Sequence, residues 1–326
     1  FYAEMGGEVG DTGTIFSNAG VVAEVNDTKA PEKGLVCHYA TIAKGNLSVG
    51  ESVTASVDAK RRAAITRNHT ATHILHASLR KVLGDHVTQA GSYVGPDRLR
   101  FDFTHFEALT PEQISAIEQL ANEEIMKAVS MHIYETSLDE ARASGVMALF
   151  GEKYGEKVRV VEAGEFSREL CGGCHVGNTA EIGFLKILGE LSIGSNTRRI
   201  EAVTSYGALE YVNSIERELK AAASELKAPL FEVSQRAAAN LKALKELQHE
   251  AKHNKGLVSD DGISSLLESA VASKDGYPVV ISRCEVHDGG QMRNLWDVIR
   301  SRMTEPGAVV LAAVKDDRPI LMAAGS

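Results

Sequence analysis

Arg67-Asn68-His69-Thr70-Ala71-Thr72-His73-Ile74-Leu75-His76-Ala77 is the stretch on which the reading of this chain turns. From about Arg61 to Leu83 the apolar residues recur at helical spacing, with Ile74, Leu75, Ser78, Leu79 and Val82 along one face. His69, His73 and His76 fall at i, i+4 and i+7 on the opposite side, so they are not filler for the apolar stripe. Side chains four apart on a helix stand about 5–6 Å from one another at Cβ, close enough for two imidazoles to grip one ion. His76 lies a turn too far along and is expected to support the pair.

About a hundred residues on comes Cys171-Gly172-Gly173-Cys174-His175, which reads as a loop. Two glycines let the backbone turn tightly and approach an ion, while Cys171 and His175 point back to it. With His69 and His73 they offer three imidazoles and a thiolate, a donor set that Zn²⁺ accepts. Two alternatives stay open. Cys174 rather than Cys171 is the sulfur ligand, or the two cysteines form a CxxC redox pair. Against the second, no helix N-terminus is evident in His175-Val176-Gly177-Asn178.

Working outward, residues 1–60 are rich in glycine and β-formers. Strands are expected at 21–25, 34–40 and 52–57, giving a small β-barrel or folded ribbon. Gly6-Gly7 and Gly10-Asp11-Thr12-Gly13 lack a P-loop lysine and a following helix, so they read as turns. Residues 61–206 read as an α+β domain that holds both metal-type pairs. Leu99, Phe101 and Phe103 alternate against Arg98, Arg100 and Asp102 in a half-buried strand. Thr110-Pro111-Glu112-Gln113 opens a helix to about Ala128 with a capping box, and 138–150 reads as another helix. Further strands are expected at 157–162, 183–188 and 199–204.

Residues 207–262 read as two antiparallel helices broken near Pro229, a coiled-coil-like arm, followed by a linker at 256–262. From 263 to 326 the order helix, strand, helix, strand, strand gives a small α/β domain. Its core takes in Trp296, the only tryptophan. The fold class expected is therefore α+β, in four parts.

The chain has 326 residues, enough for two or three domains, and its 44% apolar and 24% charged residues are ordinary for a globular protein. No stretch is long enough to span a membrane, and the start does not read as a secretory signal. Four cysteines do not make a disulfide framework, so a reducing, cytoplasmic setting is expected. A net charge of −9 argues against broad nonspecific nucleic-acid binding, while Lys60-Arg61-Arg62, Arg80-Lys81 and Arg198-Arg199 leave room for local basic surfaces. The abrupt ends suggest a piece of something longer.

The motifs around the two pairs resemble the editing domain of alanyl-tRNA synthetases. The resemblance is carried by the quoted 67–77 segment and by Glu169-Leu170-Cys171-Gly172-Gly173-Cys174-His175-Val176. It extends to Val87-Thr88-Gln89-Ala90-Gly91-Ser92, Ala148-Leu149-Phe150-Gly151-Glu152-Lys153-Tyr154, Arg198-Arg199-Ile200-Glu201-Ala202-Val203-Thr204 and the opening Phe1 to Gly13. It implies hydrolysis of serine or glycine mischarged on alanine tRNA, because an alanine pocket rejects neither well. It places zinc on His69, His73, Cys171 and His175, and puts Gln89 and Arg198 at the editing pocket. Thr72 or Gln89 would suit a serine hydroxyl. The partners implied are alanine tRNA and, through the helical arm, a second copy of the chain.

The chain departs from the family pattern at position 174, Cys for the usual Thr, and at position 8, Glu for the common Gln. It also stops before the usual glycine-rich finish and shows no ATP site, so alanine activation is not expected. The rival expectations are a freestanding trans-editing hydrolase and a tRNA-binding or dimerisation module with a purely structural zinc. A further expectation is that oxidation joins Cys171 to Cys174 and silences the site, against the plainer role of Cys174 as a small buried stand-in for threonine.

Overall fold

A computed structural model describes residues 1–18, 20–32, 34–147, 155–257, 260–284, 286, 289–315 and 318–325. The chain divides into two compact units, 1–217 and 218–326.

In the first unit, β1 (Gly13–Ser17), β2 (Val22–Glu32), β3 (Leu35–Lys44) and β4 (Val53–Val57) form an antiparallel sheet ordered β3-β2-β1-β4. The expected barrel does not close: among the described residues no ladder joins the edge strands β3 and β4. The reason lies in burial. Closure needs an inner face, and nearly every residue of β3 and β4 is exposed. β1 is a strand that composition did not announce, starting at the glycine taken for part of a turn. Gly6 and Gly7 do turn, with φ of 60° and 89°.

The next elements build the body of the unit. Asp58 caps α1 (Ala59–Leu83) by accepting from Arg61 N at 2.9 Å, and Gly84 with φ 114° ends it. β5 (Gln89–Val94), β6 (Leu99–Thr104), β10 (Leu185–Gly194) and β11 (Thr197–Thr204) make a second antiparallel sheet, ordered β10-β11-β6-β5. Leu99, Phe101 and Phe103 of β6 pack with Ile74, Leu75 and Leu79 of α1 and Ile117 of α2 (Pro111–Met126) in one buried cluster. The capping box of α2 is present, and the helix ends two residues short of Ala128, whose φ of 54° leaves helical space.

Two buried amides lock these layers. Asn68 donates to Gly95 O at 2.8 Å and accepts from Thr204 Oγ1 at 2.7 Å. Asn122 of α2 bonds both the N–H and the C=O of Leu185, each at 2.9 Å.

The third sheet is ordered β7-β8-β9, from β7 (Met131–Ser137), β8 (Lys157–Ala163) and β9 (Ser167–Leu170). The helix expected over 138–150 is only α3 (Leu138–Ala143), because Gly145 turns left-handed with φ 75°. The motif at 148–154 lies outside the described residues.

α4 (Ser205–Leu226) begins in the first unit and ends in the second. The break at Pro229 is found where expected, followed by a 3₁₀ turn and α5 (Val233–Leu257). The linker expected over 256–262 is a correction: α5 runs through Gly256, and α6 (Asp260–Glu268) begins three residues after α5 ends. A last sheet ordered β12-β13-β14-β15 follows, from β12 (Val271–Ala272), β13 (Pro278–Arg283), β14 (Ala308–Lys315) and β15 (Arg318–Gly325). β13 and β14 run parallel with α7 (Gly289–Arg302) between them in sequence. Val280, Leu295, Ile299, Val309 and Leu311 form its core, with Trp296 packed against it. No described helix is long and apolar enough to cross a membrane.

Candidate metal centre

α1 presents His69 and His73, and the loop after β9 presents Cys171 and His175. The four meet with their donor atoms all within 4.8 Å of one another. Cys171 Sγ lies 3.4 Å from His69 Nε2 and 3.3 Å from His175 Nε2. The three imidazoles pack ring to ring at 4.4 to 5.3 Å. Among the described residues, the group that could hold an ion takes in Cys171 and not Cys174, and neither cysteine is in a disulfide.

The loop reaches the helix because it has no side chain at Gly173. A Cβ there would sit 2.1 Å from His69 Cε1. Arg159 of β8 clamps the turn, donating to the carbonyls of Cys171 and Gly173, both at 2.8 Å.

Each histidine is oriented from behind. His69 Nδ1 donates to Glu8 Oε2 at 2.6 Å, which turns Nε2 inward. His175 Nδ1 is 3.2 Å from Thr70 Oγ1. His73 Nδ1 faces Glu169 Oε2 at 3.9 Å, and Glu169 Oε1 takes His76 Nδ1 at 3.1 Å. His76 therefore touches the site through Glu169, its ring against Phe101 at 5.0 Å. Outer partners that fix the ring and tautomer are what metal-binding histidines require.

Electrostatics agrees with the geometry. Burial opposes a thiolate at Cys171, but His73, His175 and His69 outweigh it and bring its pKa down to about 2. Burial also opposes charge on His69, yet Cys171 and Glu8 lift it to about 10. His175 is pushed down to about 3 by burial. Cys174 goes the other way, up to about 11, through burial and the charge of Glu8. At neutral pH a proton on His69 offsets part of the charge of Glu8 and the Cys171 thiolate, and a divalent cation that displaces protons from imidazole and thiol ligands would supply that positive charge instead. The donor set fits zinc on these grounds.

Beside the cluster is a cavity of about 80 Å³, walled by Tyr2, Met5, Thr72, Gln89 and Ser92 together with His69, His73 and Cys171. Thr72 donates its hydroxyl hydrogen to Asn68 O at 2.8 Å, which leaves its oxygen free to accept. Gln89 Nε2 donates to Ser92 Oγ at 3.3 Å. Arg198 is not among the lining residues. Its guanidinium is paired with Glu190, although its register across the sheet, through Phe103, is that of Gln89. Sequence reasoning missed Glu8, Thr70, Glu169 and Arg159. Thr70 and Glu169 lay inside the quoted motifs and Glu8 stood out as a departure from the family pattern; only Arg159 carried no signal at all.

The class of the chain emerges from these elements taken with its relatives. Residues 158–201, spanning β8, β9 and the ligand loop, match the family described as the threonyl and alanyl tRNA synthetase second additional domain, and residues 1–61 match class II (A) tRNA synthetases. The particular likeness is to alanine--tRNA ligases. The chain is 43% identical to that of Pelotomaculum thermopropionicum over 324 residues, covering 99% of this chain and 37% of the relative. It is 45% identical to that of Carboxydothermus hydrogenoformans over 318 residues, covering 98% and 36%. With that of Streptococcus sanguinis it shares 44% over 325 residues, covering 99% and 37%. Nearly the whole chain is thus homologous to a region of alanine--tRNA ligases, and it spans somewhat more than a third of their length.

Proposed function

We propose that this region proofreads alanine tRNA by hydrolysing the ester of mischarged serine or glycine, with zinc held by His69, His73, Cys171 and His175. The observation that carries the reading is the cluster itself, lying against a small, partly polar cavity in a chain homologous to alanine--tRNA ligases. When bound, the ion supplies Lewis acidity toward water or the ester, or an anchor for the α-amino group. The protein's own residues do the rest. Thr72 accepts from a serine hydroxyl, Gln89 holds the ester end of the substrate, and the Tyr2 and Met5 wall limits side-chain size. Arg198 would have to leave Glu190 to hold the approaching tRNA end. Glu169 is engaged by His76 and held below the ordinary carboxylate range by His73 and His76 despite its burial, so it serves orientation better than proton abstraction.

In this reading the helices from α4 to α5 form the arm of a homodimer, residues 263–326 bind tRNA, and the protein works in the cytoplasm. A second reading, a structural zinc, is favoured by one observation: four protein donors close a tetrahedral site. Deacylation of serine from alanine tRNA by the metal-loaded chain separates the two. Hydrolysis supports editing; intact ester with tRNA bound supports the structural role.

A further inference from the structure

Among the described residues, the opening segment hydrogen-bonds to the cluster and its loop through the side chain of Glu8. Val9 N donates to Val94 O at 3.1 Å and Val94 N to Gly7 O at 2.7 Å, so the segment runs beside the end of β5. Glu8 lies between these bonds with its side chain only 1% exposed. One oxygen, Oε2, meets two donors: His69 Nδ1 at 2.6 Å and Cys174 N at 2.8 Å. Oε1 is buried without a partner among the described residues. A Cβ on Gly173 would come within 2.4 Å of Oε2, so the ligand turn is packed directly on this carboxylate. Glu8 therefore touches both halves of the donor set, the helix and the loop, from a third piece of chain.

We propose that Glu8 is a positioning residue of the metal centre: its carboxylate holds the His69 ring and the Cys171–Cys174 turn in one register, and thereby couples metal binding to the seating of residues 1–12. The inference rests on the metal reading of the cluster. Outer partners of this kind raise metal affinity by fixing the ligand ring. Linkage makes the effect reciprocal, so a bound ion steadies the segment that contributes Tyr2 and Met5 to the cavity wall.

The test is Co²⁺ binding by the full chain, read by chelator competition and by the visible ligand-field spectrum, together with amide hydrogen exchange. Glu8→Ala is expected to weaken Co²⁺ binding roughly ten- to a hundredfold and to alter the spectrum. Glu8→Gln keeps an oxygen where Oε2 sits and recovers most of that loss. Glu4→Ala, on the same segment but half exposed and, among the described residues, paired with Lys29 alone, leaves both readouts unchanged. In the wild type, Co²⁺ slows exchange in residues 1–12, and this comparison needs no variant to fold. Wild-type affinity and spectrum in Glu8→Ala overturn the proposal, as does a Glu8→Gln no better than Ala, or a segment whose exchange ignores the metal. A wild type that takes up no Co²⁺ overturns the metal reading as well, which tells the two failures apart.

Discussion

At the scale of single residues, the two cysteines of one short loop have opposite chemistry. Cys171 is held as a thiolate by three imidazoles, whereas burial and Glu8 keep Cys174 protonated. The thiolate is the form that alkylates. In metal-free protein at pH 7, iodoacetamide is expected to modify Cys171 first, and Cys174 only as the pH climbs toward 11. Zinc should protect Cys171; mass spectrometry of the labelled peptide reads both outcomes. Gly173 supplies a second expectation. Its Cβ position is 2.1 Å from a ring atom of His69. Gly173→Ala must push the loop off the helix, so metal affinity should fall at least about tenfold, by analogy with the loss of an outer partner. Chelator competition measures it.

At the scale of elements, α2 is pinned to the second sheet by an amide that mimics a neighbouring strand. Asn122→Ala leaves the buried N–H and C=O of Leu185 unpaired and should cost about 2–4 kcal/mol. Thr110→Ala removes only the cap of the same helix and should cost about 1 kcal/mol. Thermal melts of the two variants rank the effects. α1, the capping box and the alternation in β6 were legible from the sequence because their causes are local: helical period, cap chemistry and strand period. The barrel, α3 and the linker were not. Whether β3 and β4 close depends on burial across strands, α3 stops on a left-handed glycine, and Gly256 is carried into a helix despite its low propensity. At the site, the four donors announced themselves by spacing. Glu8 lies 61 residues from His69 and 166 from Cys174, so nothing but the folded chain brings them together.

At the scale of the molecule, the candidate metal cluster lies wholly in the first unit, since all four of its donors fall within 1–217. A ligand that binds only the folded form stabilises it by mass action, by about 2.7 kcal/mol at a hundred times its Kd. Stripping the metal should therefore lower the melting of the first unit by several degrees and leave that of residues 218–326 unchanged. Scanning calorimetry with and without a chelator shows whether one transition moves or both.

The central claim, that the cluster serves hydrolysis of a mischarged ester, is tested most directly by measuring metal content and serine release from alanine tRNA in the same samples of wild type and Cys171→Ala. One equivalent of zinc with serine release is expected in the wild type, and loss of both in Cys171→Ala. Zinc-loaded wild type that leaves the ester intact, or metal-free Cys171→Ala that cleaves it at the wild-type rate, would contradict it.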